Sequence, residues 1–299
     1  MKDNILIISD VHHKTHIVDQ IVQLEVGNFS EILCSNDVFD HFNDTLEDTI
    51  KTAKWFVSKI NDPIWVFLRS NHSVSYEFAH NTNNYCSGFT PEKSSLINGI
   101  VKRTDWCKQK TFYFKNNFLF THAGLSKNFL DMMVKKGYVE NFEYTIDNIV
   151  KYLNMWEINA IKYCDDGGIH PIFAAGVDRG GNQSYGSPIW IDFSSLTNIK
   201  NINQICFHTP HDLPIIKYVR SDGRNIDQNI GNHILEKTKI NFSNGITYDL
   251  DTCMSHYAIL SNTSLDIYEI CFETPKNKTE KGKHIVVGKK LIYNQSYSN

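Results

Sequence analysis

Donor-type side chains recur in this 299-residue chain in short clusters, each directly after an apolar run. Asp10-Val11-His12 follows Ile5-Leu6-Ile7-Ile8. Asn36-Asp37-Val38-Phe39-Asp40 follows Glu31 to Cys34, and Asn71-His72 follows Ile64 to Leu68. His122 closes a run from Phe118 to Thr121, and His208-Thr209-Pro210-His211 closes one from Gln204 to Phe207. Carboxylate, amide and imidazole groups are the donor set for hard and borderline divalent cations. Asp10, His12, Asp37, Asn71, His122 and His208 would suffice for two ions if one oxygen ligand were shared. In extended chain, residues two apart point to the same side, so Asp10 and His12 are expected at one ion.

The elements that must position these donors can be read from the apolar pattern. Continuous short apolar runs ending in polar residues read as strands buried on both faces. The spacing predicts a helix over residues 16–24 and another over 45–60, the latter with Ile50, Ala53, Phe56, Val57 and Ile60 on one face. Strand, helix, strand, helix, strand implies a layered α/β fold. In such sheets ligands gather beyond the carboxyl ends of the strands, where three of the donor clusters fall. Residues 73–95 are polar and Asn-rich and read as a loop or lid. Asn116-Asn117 is a turn between two strands, residues 144–163 are helical, and residues 167–187 form a glycine-rich loop. Residues 246–250, 257–260 and 265–272 read as a closing set of strands. The charged segment 274–283 reads as mobile, ahead of a last apolar segment at 284–292. With no internal repeat and no clear linker, residues 1–299 are expected to form one domain, with insertions at about 73–110 and 126–200.

Composition narrows the classes of function. A net charge of -3 with 21% charged residues lacks the basic excess of a nucleic-acid-coating protein or a membrane-surface binder, so nucleic acid is a disfavoured partner. Seven cysteines at wide spacings, with no C-x-x-C pair, fit reduced thiols in the cytoplasm better than a disulfide framework. No run approaches the roughly 20 apolar residues of a membrane span.

Taken together the clusters resemble the calcineurin-like metallophosphoesterase superfamily, whose pattern is D-x-H, G-D-x-x-D, G-N-H-[DE], H and G-H-T-x. Leu68-Arg69-Ser70-Asn71-His72, His122-Ala123-Gly124-Leu125-Ser126 and Leu250-Asp251-Thr252-Cys253 are similar to segments of its phosphoprotein phosphatase branch, which includes phage phosphatases and diadenosine tetraphosphate hydrolases. The resemblance spans roughly residues 5–260. It implies a central β-sandwich of mixed sheets flanked by helices, and two divalent ions, Mn²⁺ first among Mn²⁺, Fe²⁺, Zn²⁺ and Mg²⁺. It places Asp10 and His12 on the first ion, Asp37 between the two, and Asn71, His122 and His208 on the second, with His211 as a further ligand of the first. His72 takes the place of the catalytic histidine and Asp40 that of the carboxylate orienting it. Arg179, and after it Arg69, are the candidates for gripping phosphate oxygens.

The implied activity is hydrolysis of a phosphate monoester on a protein or small molecule. The alternatives are a dinucleoside polyphosphate or other nucleotide, and a metal-binding protein of weak or no activity that acts through a partner. Four glycines of the pattern are replaced here, by Asn36, Ser70, Phe207 and Cys253. Phe207 is the one expected to need new space, because it directly precedes a proposed ligand.

Overall fold

Ile5–Ile8 forms strand β1, and all four of its side chains are buried because they alternate between two cores. Leu6 and Ile8 pack on one side and Ile5 and Ile7 on the other. The computed structural model describes residues 3–138, 142–220, 224–230, 245–273 and 284–297. From β1 the chain continues through helix α1 (Thr15–Leu24), β2 (Glu31–Cys34), α2 (Leu46–Ile60) and β3 (Trp65–Phe67). α3 (Asn71–Glu77), α4 (Pro91–Ile100) and the short α5 (Arg103–Trp106) then lead to the hairpin of β4 (Tyr113–Lys115) and β5 (Phe118–Phe120). α6 (Lys127–Met133) and α7 (Ile146–Asp165) come next. They are followed by β6 (Asn203–Cys206), β7 (Ile215–Val219), β8 (Asn225–Asn229), β9 (Thr247–Asp249), β10 (His256–Leu260), β11 (Ser264–Glu273) and β12 (Ile285–Ser296).

The strands make two mixed sheets of six. One runs β12-β11-β10-β1-β2-β3, with β1, β2 and β3 parallel; the other runs β4-β5-β6-β9-β7-β8, with β5, β6 and β9 parallel. The sheets face each other across a core containing Ile5, Ile7, Leu33, Phe118, Phe120, Ile205, Phe207 and Tyr248. α1 and α2 cover the outer face of the first sheet, through Ile17, Val18, Ile21, Ala53 and Phe56. α6 and α7 cover the second, through Phe129, Leu130, Leu153 and Trp156 packed with Leu119. This is the expected sandwich of mixed sheets flanked by helices. The parallel strands all end at one edge, so the turns after β1, β2, β3, β5 and β6 open side by side.

The expected loop at 73–95 is partly helical. Ser70 caps α3 by a reciprocal bond with Ser73, and Thr90 caps α4 with Pro91 at its first position. Both are start signals of about 1 kcal/mol each, hidden in a polar stretch with little apolar periodicity. The closing strands also divide: β9 belongs to the second sheet, whereas β10 and β11 join the first. A run of strands in sequence does not reveal the crossing between layers. The charged segment 274–283 lies outside the described residues. Among the described residues no helix is long and apolar enough to cross a membrane.

Candidate metal centre

The turns after β1 and β2 are built against each other. The backbone N–H of His12 donates to the carbonyl of Asp37 at 2.7 Å, and that of His13 to Val38 at 2.9 Å. Both turns are left-handed, with positive φ at His12 (40°), Asn36 (80°), Asp37 (30°) and Asp40 (67°). Non-glycine residues held there cost about 1–3 kcal/mol each and persist only where the surroundings over-determine them. Asp10 and His12 therefore converge through a turn, not through the two-residue alternation of extended chain.

The donors form two groups that share one residue. In one, ligand atoms of Asp10, His12 and Asp37 lie within 4.8 Å of one another; in the other, those of Asp37, His122 and His208 do. Asn71 joins the second group, its Oδ1 2.9 Å from His122 Nε2. That same Nε2 stands 3.1 Å from His208 Nδ1 and 3.4 Å from Asp37 Oδ2. Asp10 accepts a short hydrogen bond from the Ser35 hydroxyl, which aims its carboxylate. His12 Nδ1 lies 2.7 Å from the Asp40 carbonyl; a carbonyl only accepts, so Nδ1 carries the proton and Nε2 keeps its lone pair for a cation. Asp37 Oδ1, His122 Nδ1 and His208 Nε2 are buried without a hydrogen-bond partner. An unsatisfied buried polar atom costs about 1–3 kcal/mol, and divalent cations would give this crowd of lone pairs something to bind.

Beside these groups His72 is held by Asp40, Nδ1 to Oδ2 at 2.8 Å, with Nε2 turned toward Asp37 at 4.0 Å. Asp40 Oδ1 is occupied separately by the Tyr76 hydroxyl at 2.6 Å and Lys93 Nζ at 2.9 Å. Cys86 Sγ approaches His72 Nδ1 at 3.1 Å. Tyr76, Lys93 and Cys86 were not singled out from the sequence. Tyr76 follows His72 by one helical turn, a spacing that places both on one face of α3. Nothing local marks Lys93 or Cys86.

Burial and neighbouring charge set the protonation states. Burial alone would raise the Asp37 carboxyl, but His122, His72 and His12 hold it well below its ordinary value. Asp10 is pushed well up by burial, by Asp37 and by Asp251. Burial, His122 and Arg179 depress His208 far below the usual imidazole value, so its ring is neutral. For His72, burial is outweighed by Cys86, Asp37 and Asp40, and its pKa stands well above normal. Burial lowers His12 as well, so neutral rings at His12 and His208 stand beside the cationic ring of His72.

The remaining candidates divide. Arg179 lies next to the second group: its Nη2 donates to Thr209 at 2.8 Å and pairs with Asp192 at 3.0 Å. The glycine-rich loop carrying it is a packed element, since a Cβ on Gly176 would come within 2.7 Å of Gly186 Cα. His211 Nε2 lies 3.6 Å from Asp249 Oδ2, and neither atom has a hydrogen-bond partner. Arg69 is corrected. It is fully buried, with its guanidinium held by Glu77 at 2.7 Å and Glu157 at 2.8 Å, so it ties α3 to α7 and does not face a substrate. The position of Phe207 also resolves: its side chain enters the core between the sheets, and its N–H donates to the His122 carbonyl at 2.8 Å. Of the four replaced glycines, only Asn36 and Cys253 sit at positive φ.

A scan against protein-family models finds no match for this chain, and neither does a search of curated proteins. Among solved structures, it is similar to the crystal structure of a metallophosphoesterase from Sphaerobacter thermophilus. The identity is 13% and the TM-score 0.37, over 87% of this chain and 84% of that one. It is also similar to the phosphatase domain of the Legionella effector WipB, at 14% identity and a TM-score of 0.38, over 67% of this chain and 77% of that one.

Proposed function

We propose that this chain is a dinuclear metal-dependent phosphoesterase of the calcineurin-like kind, in its phosphoprotein phosphatase branch. The observation that carries the reading is the place of Asp37 in two donor groups at once. One carboxylate between a His/Asp pair and a His/His/Asn set is the arrangement a pair of adjacent cations requires. Asp10, His12 and Asp37 would hold one ion, and Asp37, Asn71, His122 and His208 the other, with His211 at the margin of the first. Bound there, the ions would lower the pKa of an attacking water and neutralise phosphoryl oxygens.

The protein's own groups supply the rest. His72 donates from Nδ1 to Asp40, and the neighbouring negative groups hold its pKa well above normal, so the ring is an imidazolium that also carries a proton on Nε2. It stands beside the donors as the acid that protonates the leaving oxygen, a contribution of roughly 10²–10⁴-fold. Arg179, 2.8 Å from the hydroxyl of the residue after His208, can swing from Asp192 to grip non-bridging oxygens. Mn²⁺ is the expected metal and the cytoplasm the expected compartment. The substrate class is a phosphomonoester of a protein or small molecule, handled by the whole chain as one domain.

The test is Mn²⁺-dependent hydrolysis of p-nitrophenyl phosphate against its bis-ester, with His72→Ala alongside. Monoester turnover that needs Mn²⁺ and falls at least about 10²-fold in the variant is expected. Preference for the bis-ester would move the substrate class to diesters. Purified protein that takes up no divalent ion would end the reading.

A further inference from the structure

A third cluster of metal-type donors lies one layer back from the proposed pair. Asp40, His72 and Cys86 offer an oxygen, a nitrogen and a sulfur, all within 4.8 Å of one another and all buried. Nδ1 of His72 stands 2.8 Å from Asp40 Oδ2 and 3.1 Å from Cys86 Sγ, and Sγ is 3.9 Å from the same Oδ2. Nδ1 carries one proton at most, and both it and the Cys86 thiol turn to the same Asp40 Oδ2, so three potential ligand atoms crowd around two protons.

The surroundings keep this cluster in place. Oδ1 of Asp40 is taken by Tyr76 and Lys93, which leaves Oδ2 aimed at the other two donors. The Cys86 N–H donates to Ser75 Oγ at 3.1 Å, which fixes the loop to α3. Lys93 Nζ also binds the Gly88 carbonyl at 2.9 Å, and a Cβ on Gly88 would stand 2.9 Å from Asp40 Cβ. The Cys86–Gly88 segment is therefore seated directly on Asp40.

We propose that Asp40, His72 and Cys86 form an inhibitory site for a soft divalent cation, Zn²⁺ above all, distinct from the two ions that share Asp37. With Zn–S near 2.3 Å and Zn–N or Zn–O near 2.0–2.2 Å, tetrahedral neighbours lie about 3.3–3.6 Å apart. The three observed separations, 2.8, 3.1 and 3.9 Å, bracket that spacing, so adjustments of roughly half an ångström complete it. A thiolate favours Zn²⁺ over Mn²⁺ or Mg²⁺, which separates this site from the oxygen- and imidazole-rich pair. On binding, the Cys86 thiol and His72 Nδ1 each release a proton to solvent. The imidazole then keeps its Nε2 proton as a neutral, metal-bound ring, a poorer acid than the imidazolium it replaces, and it loses its bond to Asp40. Catalysis stops while the two-ion centre stays loaded.

The consequence for activity rests on the phosphoesterase reading; the site itself does not, so two readouts are needed. With the full chain loaded with Mn²⁺, p-nitrophenyl phosphate hydrolysis is followed against buffered free Zn²⁺ in wild type, Cys86→Ser and Cys86→Ala. Separately, Co²⁺ titration follows the thiolate-to-cobalt charge-transfer absorption, with Cys107→Ser as a control at an exposed thiol. Wild type should show the thiolate band and inhibition by Zn²⁺. Both Cys86 variants should lose the band and need at least tenfold more Zn²⁺ for half-inhibition, while Cys107→Ser keeps both properties.

No band in wild type, a band that persists in both Cys86 variants, or an unshifted Zn²⁺ requirement would overturn the site. A band without any turnover would leave the site standing and remove the phosphoesterase reading. Turnover without a band would do the reverse. Thermal melting of each variant separates misfolding from loss of the ligand, and the two substitutions together guard against one failing to fold.

Discussion

The interior between the sheets and the turns at the strand ends are equally buried and built on opposite terms. Ile7, Phe120 and Phe207 are fully buried among other apolar side chains. Asp10, Asp37 and His122 are 2%, 2% and 0% exposed, yet Asp37 and His122 each leave a polar atom without a partner. The backbone at His12, Asp37 and Asp40 is left-handed as well. Burying an apolar side chain stabilises the fold by about 1.5–3 kcal/mol, whereas the strained turns and unmatched polar atoms cost a similar amount each. The sandwich core thus holds in place a site that would not keep its shape alone, and bound cations would lower that site's cost.

That contrast breaks first at Asp37. Asp37→Asn removes the carboxylate both donor groups share, so metal content should drop from two ions toward none. Turnover should fall by more than the roughly 10²–10³-fold expected for one lost electrostatic contact. Wild type should gain about 2.7 kcal/mol for each ion bound when Mn²⁺ stands at a hundred times its dissociation constant, and the variant nearly nothing. Metal analysis and melting with and without Mn²⁺ check this; a variant that keeps both ions would show that Asp37 is not the shared ligand. Phe207→Ala is the opposite case, one residue before His208 but facing the core. It should lose about 3–5 kcal/mol in urea unfolding while still binding two ions. If it lost the metals at unchanged stability, core and site would not be separable.

His72→Gln comes next in size. Neither donor group uses this side chain, so metal content should be retained while kcat falls by roughly 10²-fold or more. Equal loss of metal and activity would make His72 a ligand and not the acid.

Much of this contrast was legible before the fold was known. Ile5 to Ile8 reads as a strand buried on both faces because every residue in it is apolar, and Asp10, Asp37, Asn71, His122 and His208 each follow such a run. Ends of parallel strands from both sheets are brought to one edge of the sandwich by topology, so residues nearly two hundred positions apart fall into one place. What stayed hidden had non-local causes. The burial of Arg69 depends on Glu77 and Glu157, the latter on a helix 88 positions away. Cys86 and Lys93 reach Asp40 only because the segment between α3 and α4 folds back over it. Phe207 looked like an obstacle because its direction, toward the core, is set by the pairing of β6 with β5 and β9 and not by its neighbours in sequence.

The smallest effect separates strain that serves the site from strain that does not. Cys253 and Met254 sit at φ 53° and 65°, in a turn where Cys253 is exposed and its carbonyl accepts from Lys14. A non-glycine residue in this region costs about 1–2 kcal/mol. Glycine removes that cost but gives back about 0.5–1 kcal/mol of unfolded-state entropy. Cys253→Gly should therefore stabilise the protein by about 0.5–1 kcal/mol, with the Lys14 bond, metal content and kcat unchanged. Asn36→Gly relieves a similar φ of 80°, but it also deletes a buried hydrogen bond to Gln109, beside the shared carboxylate. Removing one partner of a buried pair costs about 1–3 kcal/mol, which exceeds the strain released, so this second variant should be destabilised. Differential scanning calorimetry on the two variants side by side decides the point. If both moved in the same direction, backbone strain alone would govern these turns, and the packing around Asp37 would not be what holds them.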